Sequence, residues 1–544
     1  MSKEGLFRLY NLYFRKYWIK VAFMLIILLI GTVVSMYQYI VNQHLIDTVI
    51  ASRDFSMLPS FFCLFLFVSI ICIFLSWAAE RCNIAVSQQC GIDMRIDLLK
   101  RVHLAKFSDI NKLSSSAIST RIMEDVTYVN NFFNNVLIGN ASLIFTLICL
   151  SAYLCTYSIV FFLMVLLPSL LQMLVTRLFS SKIRENQNDA RVVTQDHLKM
   201  LTRNMICLPL VKVFSIQGQL INDYYNCLKQ IRRISVRNFD VEYISRFAVS
   251  LIGILGDVSL LYVGARKVMN DSLSLGAFVA IIGVASSLRS IFTQIVSVNI
   301  QLQKVKVSAQ RIIDILDLEL DVIKGELNNP HKIEKITFDN VSFSFSGEDR
   351  KILKDFNMTF TNKLPYIIKG TSGKGKSTIL NLISQNLEAS SGNIYVNDTY
   401  SFKENDMRKK VAVCYQEDIF AFDTIYANLS RSDDGEVIEG NINEALDIAE
   451  ALGFVSRLKK GLNTKIEEVV CNFSGGEIKR LSIARTLLKQ ADVYIFDESF
   501  SCIDEKTRLR IFEKILNKLK GKIIIVISHD DSIEQYFNVK TVFI

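Results

Sequence analysis

Residues 370–378 read Gly370-Thr371-Ser372-Gly373-Lys374-Gly375-Lys376-Ser377-Thr378 and fit the pattern G-x-x-x-x-G-K-[ST]. The apolar run Tyr366-Ile367-Ile368 precedes them and predicts a strand. Ile379-Leu380-Asn381-Leu382-Ile383 follows and predicts the start of a helix. A strand, a glycine-rich loop and a helix in that order form the setting in which the pattern cradles phosphate. The glycines let successive backbone N–H groups close around phosphate oxygens, and the helix N-terminus adds its positive dipole end. In this reading Lys376 bridges the terminal phosphates and Ser377 ligates Mg²⁺. A glycine-rich turn that matches by chance is the other reading, so the motif has to be weighed with what surrounds it.

Downstream, several stretches add chemistry. Ile336-Thr337-Phe338 and Val341-Ser342-Phe343-Ser344-Phe345 alternate as strands do. Phe345 lies shortly before the phosphate loop, where an aromatic ring either stacks on a base or fills the core. Lys410-Val411-Ala412-Val413-Cys414-Tyr415-Gln416 predicts a strand ending in the polar Gln416, which suits orienting water and touching Mg²⁺. Ser474, with Gly475 and Gly476, opens a helix: the serine suits an N-cap and the glycines allow close approach to an anion. Val493-Tyr494-Ile495-Phe496 is a buried-strand run that ends in Asp497 and Glu498. Two acids delivered to a phosphate loop suit a Mg²⁺ ligand, Asp497, and a general base, Glu498. Ile523–Ile527 predicts a further strand, closed by Ser528 and His529. A lone histidine is usually structural, but this one ends a strand patterned like that of Asp497.

The 544 residues imply several domains. Half of them are hydrophobic and the mean hydropathy is +0.29, an average that a membrane half joined to a water-exposed half would produce. Val21–Ile40, Met57–Ala79, two stretches within Thr127–Thr176 split near Thr156-Tyr157-Ser158, Phe247–Val263 and Leu273–Leu288 are each long and apolar enough to span a bilayer. Six spans put both ends on one side. The basic N-terminus (Lys3, Arg8, Arg15, Lys16) and the long Lys/Arg-rich segments 80–126 and 177–246 make that side cytoplasmic. The same placement explains the net charge of +9 without nucleic acid. The long segments carry helical apolar spacing, with turns expected near Phe107–Ser115 and Phe214–Leu220. The 11 cysteines show no metal-like spacing, and the N-terminal apolar run reads as a retained span rather than a cleaved signal. Asp257 is the one clear acid inside a span. Two readings stand for it: a substrate- or proton-linked group, or a solvated cavity-facing residue of no consequence.

Taken in order, the phosphate loop, Gln416, Phe473–Glu477, Val493–Glu498, Ser501-Cys502-Ile503-Asp504 and His529 resemble the ATP-binding cassette (ABC) family. The six spans and Ser308-Ala309-Gln310-Arg311-Ile312 resemble its exporters, so the resemblance covers nearly the whole chain. It implies a six-helix membrane domain over residues 1–318, a connection over 319–333 and an α/β P-loop cassette over 334–544. It implies ATP and Mg²⁺ as cofactors, held by Phe345, Gly370–Thr378, Ser377, Gln416, Asp497 and, across a dimer, Ser474, Gly475, Gly476 and Asp504. Glu498, His529 and Gln416 take the catalytic roles. It also implies a half-transporter in the cell membrane that pairs with a second half, an identical chain being favoured by the full catalytic set. The segments near 107–115 and 214–220 would dock on the cassettes near Gln416. Expected activity is ATP-driven export of an amphipathic or apolar cargo, with a lipid or lipid-linked-sugar flippase, or an ATP-gated channel or switch, as alternatives. Three departures stand out. Phe473 and Glu477 replace the usual Leu and Gln at the ends of the signature, Phe345 replaces a tyrosine, and Glu467–Asn472 replaces a glycine-bearing acidic stretch.

Overall fold

The computed structural model describes residues 2–50, 56–134, 139–321, 332–345, 351–371, 373–402, 406–432, 435–436, 439–467, 469 and 473–544. Ser372, most of the expected 319–333 connection, and Glu468, Val470, Cys471 and Asn472 lie outside the described residues. The chain divides into two units: residues 1–103 with 114–317, and residues 104–113 with 318–544.

The first unit is helical. Among the described residues, six helices are long and apolar enough to cross a membrane. They lie within Gly5–Ile50, Leu58–Leu104, Ser115–Tyr157, Ile159–Ile183, Gln217–Met269 and Leu275–Phe292. The break expected near Ser158 is real: one helix ends at Tyr157 and the next begins at Ile159, with the Ser158 hydroxyl accepting from the Val160 N–H. Outward residues such as Phe62, Phe67, Ile73 and Phe74 are exposed, as helices that meet lipid allow. The packed interior is built from Leu150, Leu154, Phe161, Val165, Leu260, Ile281, Val284 and Leu288, on four of the spans. The long helices run well past the apolar stretches, to Leu104 on one and Ile206 on another. The helical spacing of the long segment 177–246 is broken at Cys207, because Pro209 starts a new helix, Leu208–Phe214, and cannot continue the old one. Asp257, the acid inside a span, has a partner on a neighbouring span. Arg289, on the next helix, makes an ion pair with its carboxylate and donates to Gly253 O at 3.0 Å.

The second unit is α/β. Five parallel strands run in the order β11-β3-β10-β9-β6, where β3 is Tyr366–Lys369, β6 Val411–Cys414, β9 Val493–Asp497, β10 Ile523–Ile527 and β11 Lys540–Phe543. β9 and β10 are buried along their whole length, which is why they read as unbroken apolar runs rather than alternating ones. A second, antiparallel sheet joins β1 (Lys335–Phe343), β2 (Leu353–Thr361), β4 (Ser391–Val396) and β5 (Tyr400–Ser401), and β7 (Arg431–Ser432) pairs with β8 (Gly435–Glu436). The two stretches expected as separate strands, 336–338 and 341–345, form the single strand β1. Its register slips between Phe338 and Val341, where Asn340 takes φ 48°, and it ends at Phe343. Leu104–Leu113 belongs to this unit: Ala105 pairs with Leu320 in an antiparallel bridge, and Lys106 bonds Glu319 through backbone and side chain.

Candidate nucleotide site

Parallel sheets gather chemistry at the carboxyl ends of their strands. β3 runs into the loop 370–375 and then the helix Lys376–Ile383. Gly375 caps that helix at φ 98°, and a Cβ there would lie 2.9 Å from Leu353, so only glycine fits the turn. Gly373, also left-handed at φ 81°, has nothing within 4 Å of where a Cβ would be and leaves its backbone open on one side. Lys376 is buried, with 8% of its surface exposed. It curls back to donate to Gly370 O at 2.5 Å. A backbone nest with a lysine ammonium inside it and a helix N-terminus behind it fits a polyphosphate. Ser377 is exposed at the first turn of the helix, and Thr378 is buried beneath it.

The neighbouring strand ends meet this loop. Lys376 Nζ is 3.1 Å from His529 Nε2, just past β10. His529 Nε2 is 3.6 Å from Glu498 Oε1, just past β9. The Gln416 amide, past β6, donates to Glu498 Oε2 at 2.8 Å. Four residues named from sequence thus form one chain of contacts along the sheet edge. Glu498 holds its place with φ 45° while its N–H bonds Ile527 O at 2.9 Å, so its backbone is pinned against β10 in a conformation non-glycine residues seldom adopt. Asp497 beside it is 7% exposed. Burial, and then the adjacent Glu498 charge, push its carboxyl up to about 6, against the pull of Lys376 and Lys479. A carboxylate that costly to keep charged suits a bound divalent cation.

The signature residues sit apart. Ser474 caps the helix Gly475–Leu488. Its hydroxyl accepts from Glu477 N at 3.3 Å, and the Glu477 carboxylate accepts from Ser474 N at 3.0 Å and from its hydroxyl at 2.9 Å. Glu477 therefore completes a reciprocal capping box, a signal that serine and glutamate three residues apart already carried. Gly476 lies against the 501–504 loop, where a Cβ would meet Cys502 O at 2.6 Å. Asp504 caps the helix Glu505–Lys518, and the Thr507 N–H holds its carboxyl below the usual range. Among the described residues, no hydrogen bond or ion pair links Ser474, Gly475, Gly476 or Asp504 to Lys376, His529 or Glu498. Phe345 is not a core residue: 44% exposed, it stands edge-on to Phe343 at 5.1 Å. It lines a cavity of about 440 Å³ with Phe107, Asn111, Lys112 and Gln385–Glu388. The segment 104–113 accordingly lies beside Phe345, one step from Gln416 through the Asn386–Tyr415 hydroxyl bond of 3.2 Å.

Sequence reasoning missed what holds Gln416. Lys479, Ser482 and Arg485, on one face of the signature helix, all bind the 415–419 loop. Their i, i+3, i+6 spacing was visible, but nothing in it named the loop they face.

Comparison with known proteins agrees with this geometry. Residues 21–292, half of the chain, match the family model described as the ABC transporter transmembrane region, and residues 353–501 match the ABC transporter model. The chain is similar to ATP-dependent lipid A-core flippases from several bacteria. That of Syntrophus aciditrophicus is 24% identical over 450 residues, covering 82% of this chain and 74% of the relative. Those of Mannheimia succiniciproducens (27%) and Haemophilus ducreyi (26%) each cover 84% of this chain and 78% of the relative. A bacterial Atm1-family ABC exporter solved with ATP bound shares the fold at a TM-score of 0.79 and 17% identity, over 98% of this chain and 94% of that one. The chain belongs to the ABC transporters: it is a multi-pass membrane protein of exporter fold that binds ATP and couples its hydrolysis to transport.

Proposed function

We propose that this chain is one half of a two-chain pump that moves an amphipathic or apolar cargo across the cell membrane by alternating access, and that the cargo is a lipid or lipid-like amphiphile. The contact chain Lys376–His529–Glu498–Gln416 carries the hydrolytic part of this reading. The names of the relatives favour lipid over peptide or drug.

In this account residues 1–318 form the membrane domain, 319–333 the connection and 334–544 the cassette, with the cassette and the N-terminus in the cytoplasm. Phe345 stacks on adenine. The backbone of Gly370–Thr378 holds the phosphates, and Lys376 neutralises them. Ser377, Gln416 and Asp497 would hold Mg²⁺, which supplies charge neutralisation at the transferring phosphate. Glu498 takes the proton of the attacking water, aimed by the Gln416 amide, and His529 stabilises charge as it develops. Ser474, Gly475, Gly476 and Asp504 serve a nucleotide held mainly by the second chain, which fits their separation from Lys376. Closure of the pair around ATP, and reopening after hydrolysis, then biases the membrane helices. The partner is an identical chain, in contact with membrane lipids and not with nucleic acid.

The test is reconstitution of the chain alone in liposomes with a fluorescent phospholipid and a fluorescent amphipathic peptide. ATP-dependent movement of the lipid, absent with Glu498→Gln, supports the reading. Movement of the peptide alone refutes the lipid cargo. Cargo running down its gradient under a non-hydrolysable analogue refutes the pump and leaves the channel.

A further inference from the structure

The lysine at position 479 is the least expected charge in the cassette. It is 3% exposed on the helix Gly475–Leu488. A buried ammonium is costly unless every donor is met. Lys479 meets all three: Nζ donates to Gln416 O at 2.6 Å and Tyr415 O at 3.2 Å, and pairs with Asp418 Oδ1 at 3.1 Å. Two further side chains on the same face reinforce it. Ser482 Oγ donates to Asp418 Oδ1 at 2.6 Å, and Arg485 donates to Ile419 O at 2.5 Å. The loop leaving β6 is therefore fastened by its backbone to the helix that Ser474 caps. The side chain on that same loop, Gln416, reaches the other way, to Glu498 Oε2 at 2.8 Å.

We propose that Lys479 is a positioning residue for hydrolysis: by holding the Tyr415 and Gln416 carbonyls it aims the Gln416 amide at Glu498 and ties the signature helix to the catalytic carboxylate. The proposal rests on the reading of Glu498 as the base. Its physical content is a rigid lever. The 475–488 helix moves as one body, so displacement of its Ser474 end carries Lys479 with it. The peptide that presents Gln416 must follow, because Lys479 grips the carbonyls on both sides of the Gln416 backbone. A merely stabilising lysine would need acceptors of any kind. These are the two carbonyls that set the direction of one functional side chain.

The experiment is steady-state ATPase kinetics of the full chain in lipid nanodiscs, with binding of a fluorescent ATP analogue and thermal stability measured on each variant. Lys479→Met, similar in length and uncharged, is expected to lower kcat on the order of 10–100-fold, as misplacement of a catalytic group by about 1 Å does. KM and analogue affinity should stay within about threefold. Lys479→Gln keeps two donors and should recover most of the loss. The decisive readout is the double variant Lys479→Met/Gln416→Ala, which should be no slower than Gln416→Ala alone, because Lys479 acts through Gln416. A wild-type kcat in Lys479→Met, or losses that multiply in the double variant, would overturn the proposal. Should Lys479→Met fail to fold, Lys479→Gln takes its place in the cycle. Its smaller loss should then vanish in the Gln416→Ala background, and a loss that persists there would overturn the proposal. Glu498→Gln run in parallel separates the two readings: full activity there removes the base, while the Lys479–Gln416 cycle still judges the lever.

Discussion

The Asp257–Arg289 pair offers the sharpest prediction about the membrane unit. Arg289 is mostly buried, its side chain 15% exposed, whereas that of Asp257 is 48% exposed. The guanidinium donates to Asp257 and to the Gly253 carbonyl, the latter at 3.0 Å. Asp257→Asn keeps the shape and removes the charge, leaving a cation with neutral acceptors alone in a low-dielectric setting. Breaking a fully buried pair in this way costs about 3–5 kcal/mol; half-exposure of the acid reduces that to about 2 kcal/mol. Arg289→Met strands the acid and loses two hydrogen bonds, for a similar cost. Removing both leaves no orphan, so the double variant should cost about 2 kcal/mol rather than the roughly 4 kcal/mol of the sum. Large membrane proteins unfold irreversibly, so the assay is the rate of thermal unfolding in nanodiscs at one temperature. Each single variant should unfold up to about 30-fold faster and the double variant no faster than either. Strict additivity would refute the pairing. Cargo-stimulated ATPase measured alongside decides its meaning. Loss of stimulation in Asp257→Asn, but not in the equally destabilised Arg289→Met, assigns Asp257 to cargo.

Three further outcomes are expected. Asp497 has its carboxyl raised from 3.8 to about 6, so the native cassette holds this proton to a higher pH than the unfolded chain does. The destabilisation is absent below about pH 4, grows as pH rises through about 4–6, and is fully present at pH 7. Asp497→Asn should therefore stabilise Mg²⁺-free protein at about pH 7.5 by about 2 kcal/mol, the at most about 3 kcal/mol of the raised carboxyl trimmed for solvent access, and by far less at about pH 4.5; equal gains at both would sink this, with thermal unfolding in a chelator as the assay. Gly476→Ala would drive a methyl group to 2.6 Å from Cys502 O, and the ATPase rate should fall at least about tenfold through displaced backbone, at unchanged analogue binding. Glu477→Gln keeps the cap's shape while removing a negative charge beside Ser474, so KM for ATP should drop about two- to fivefold; an unchanged KM means that the carboxylate is not felt by nucleotide.

The sheet edge that carries Gln416, Glu498 and His529 was legible in the sequence because each of them follows an apolar strand. Val493–Phe496 before Asp497 and Ile523–Ile527 before His529 are runs that only a doubly covered parallel sheet uses, and in such a sheet the strand ends converge. The spans were legible for a similar reason: lipid demands about 20 apolar residues in a row, and Ser158 marked the tight break between two of them. What stayed hidden depended on side chains meeting over long separations. Arg289 follows the apolar run Leu273–Leu288, and nothing in that run places it beside Asp257 on the neighbouring helix; nor does the helix of Lys479 name the loop that it faces. Asn340 ended the alternation of β1 in sequence, yet the strand continues through it by a bulge, since a residue tolerant of positive φ can absorb the slip.

The proposed pump rests on Glu498 as the base, and the most direct measurement is the ATPase rate of the purified chain alone in lipid nanodiscs, beside Glu498→Gln. A Mg²⁺-dependent rate should appear in the unaltered chain and vanish in the variant while ATP binding remains. Hydrolysis that persists undiminished in Glu498→Gln, in folded protein, would contradict the role given to Glu498. No hydrolysis by the unaltered chain, with ATP bound and lipid supplied, would contradict a pump built from identical halves.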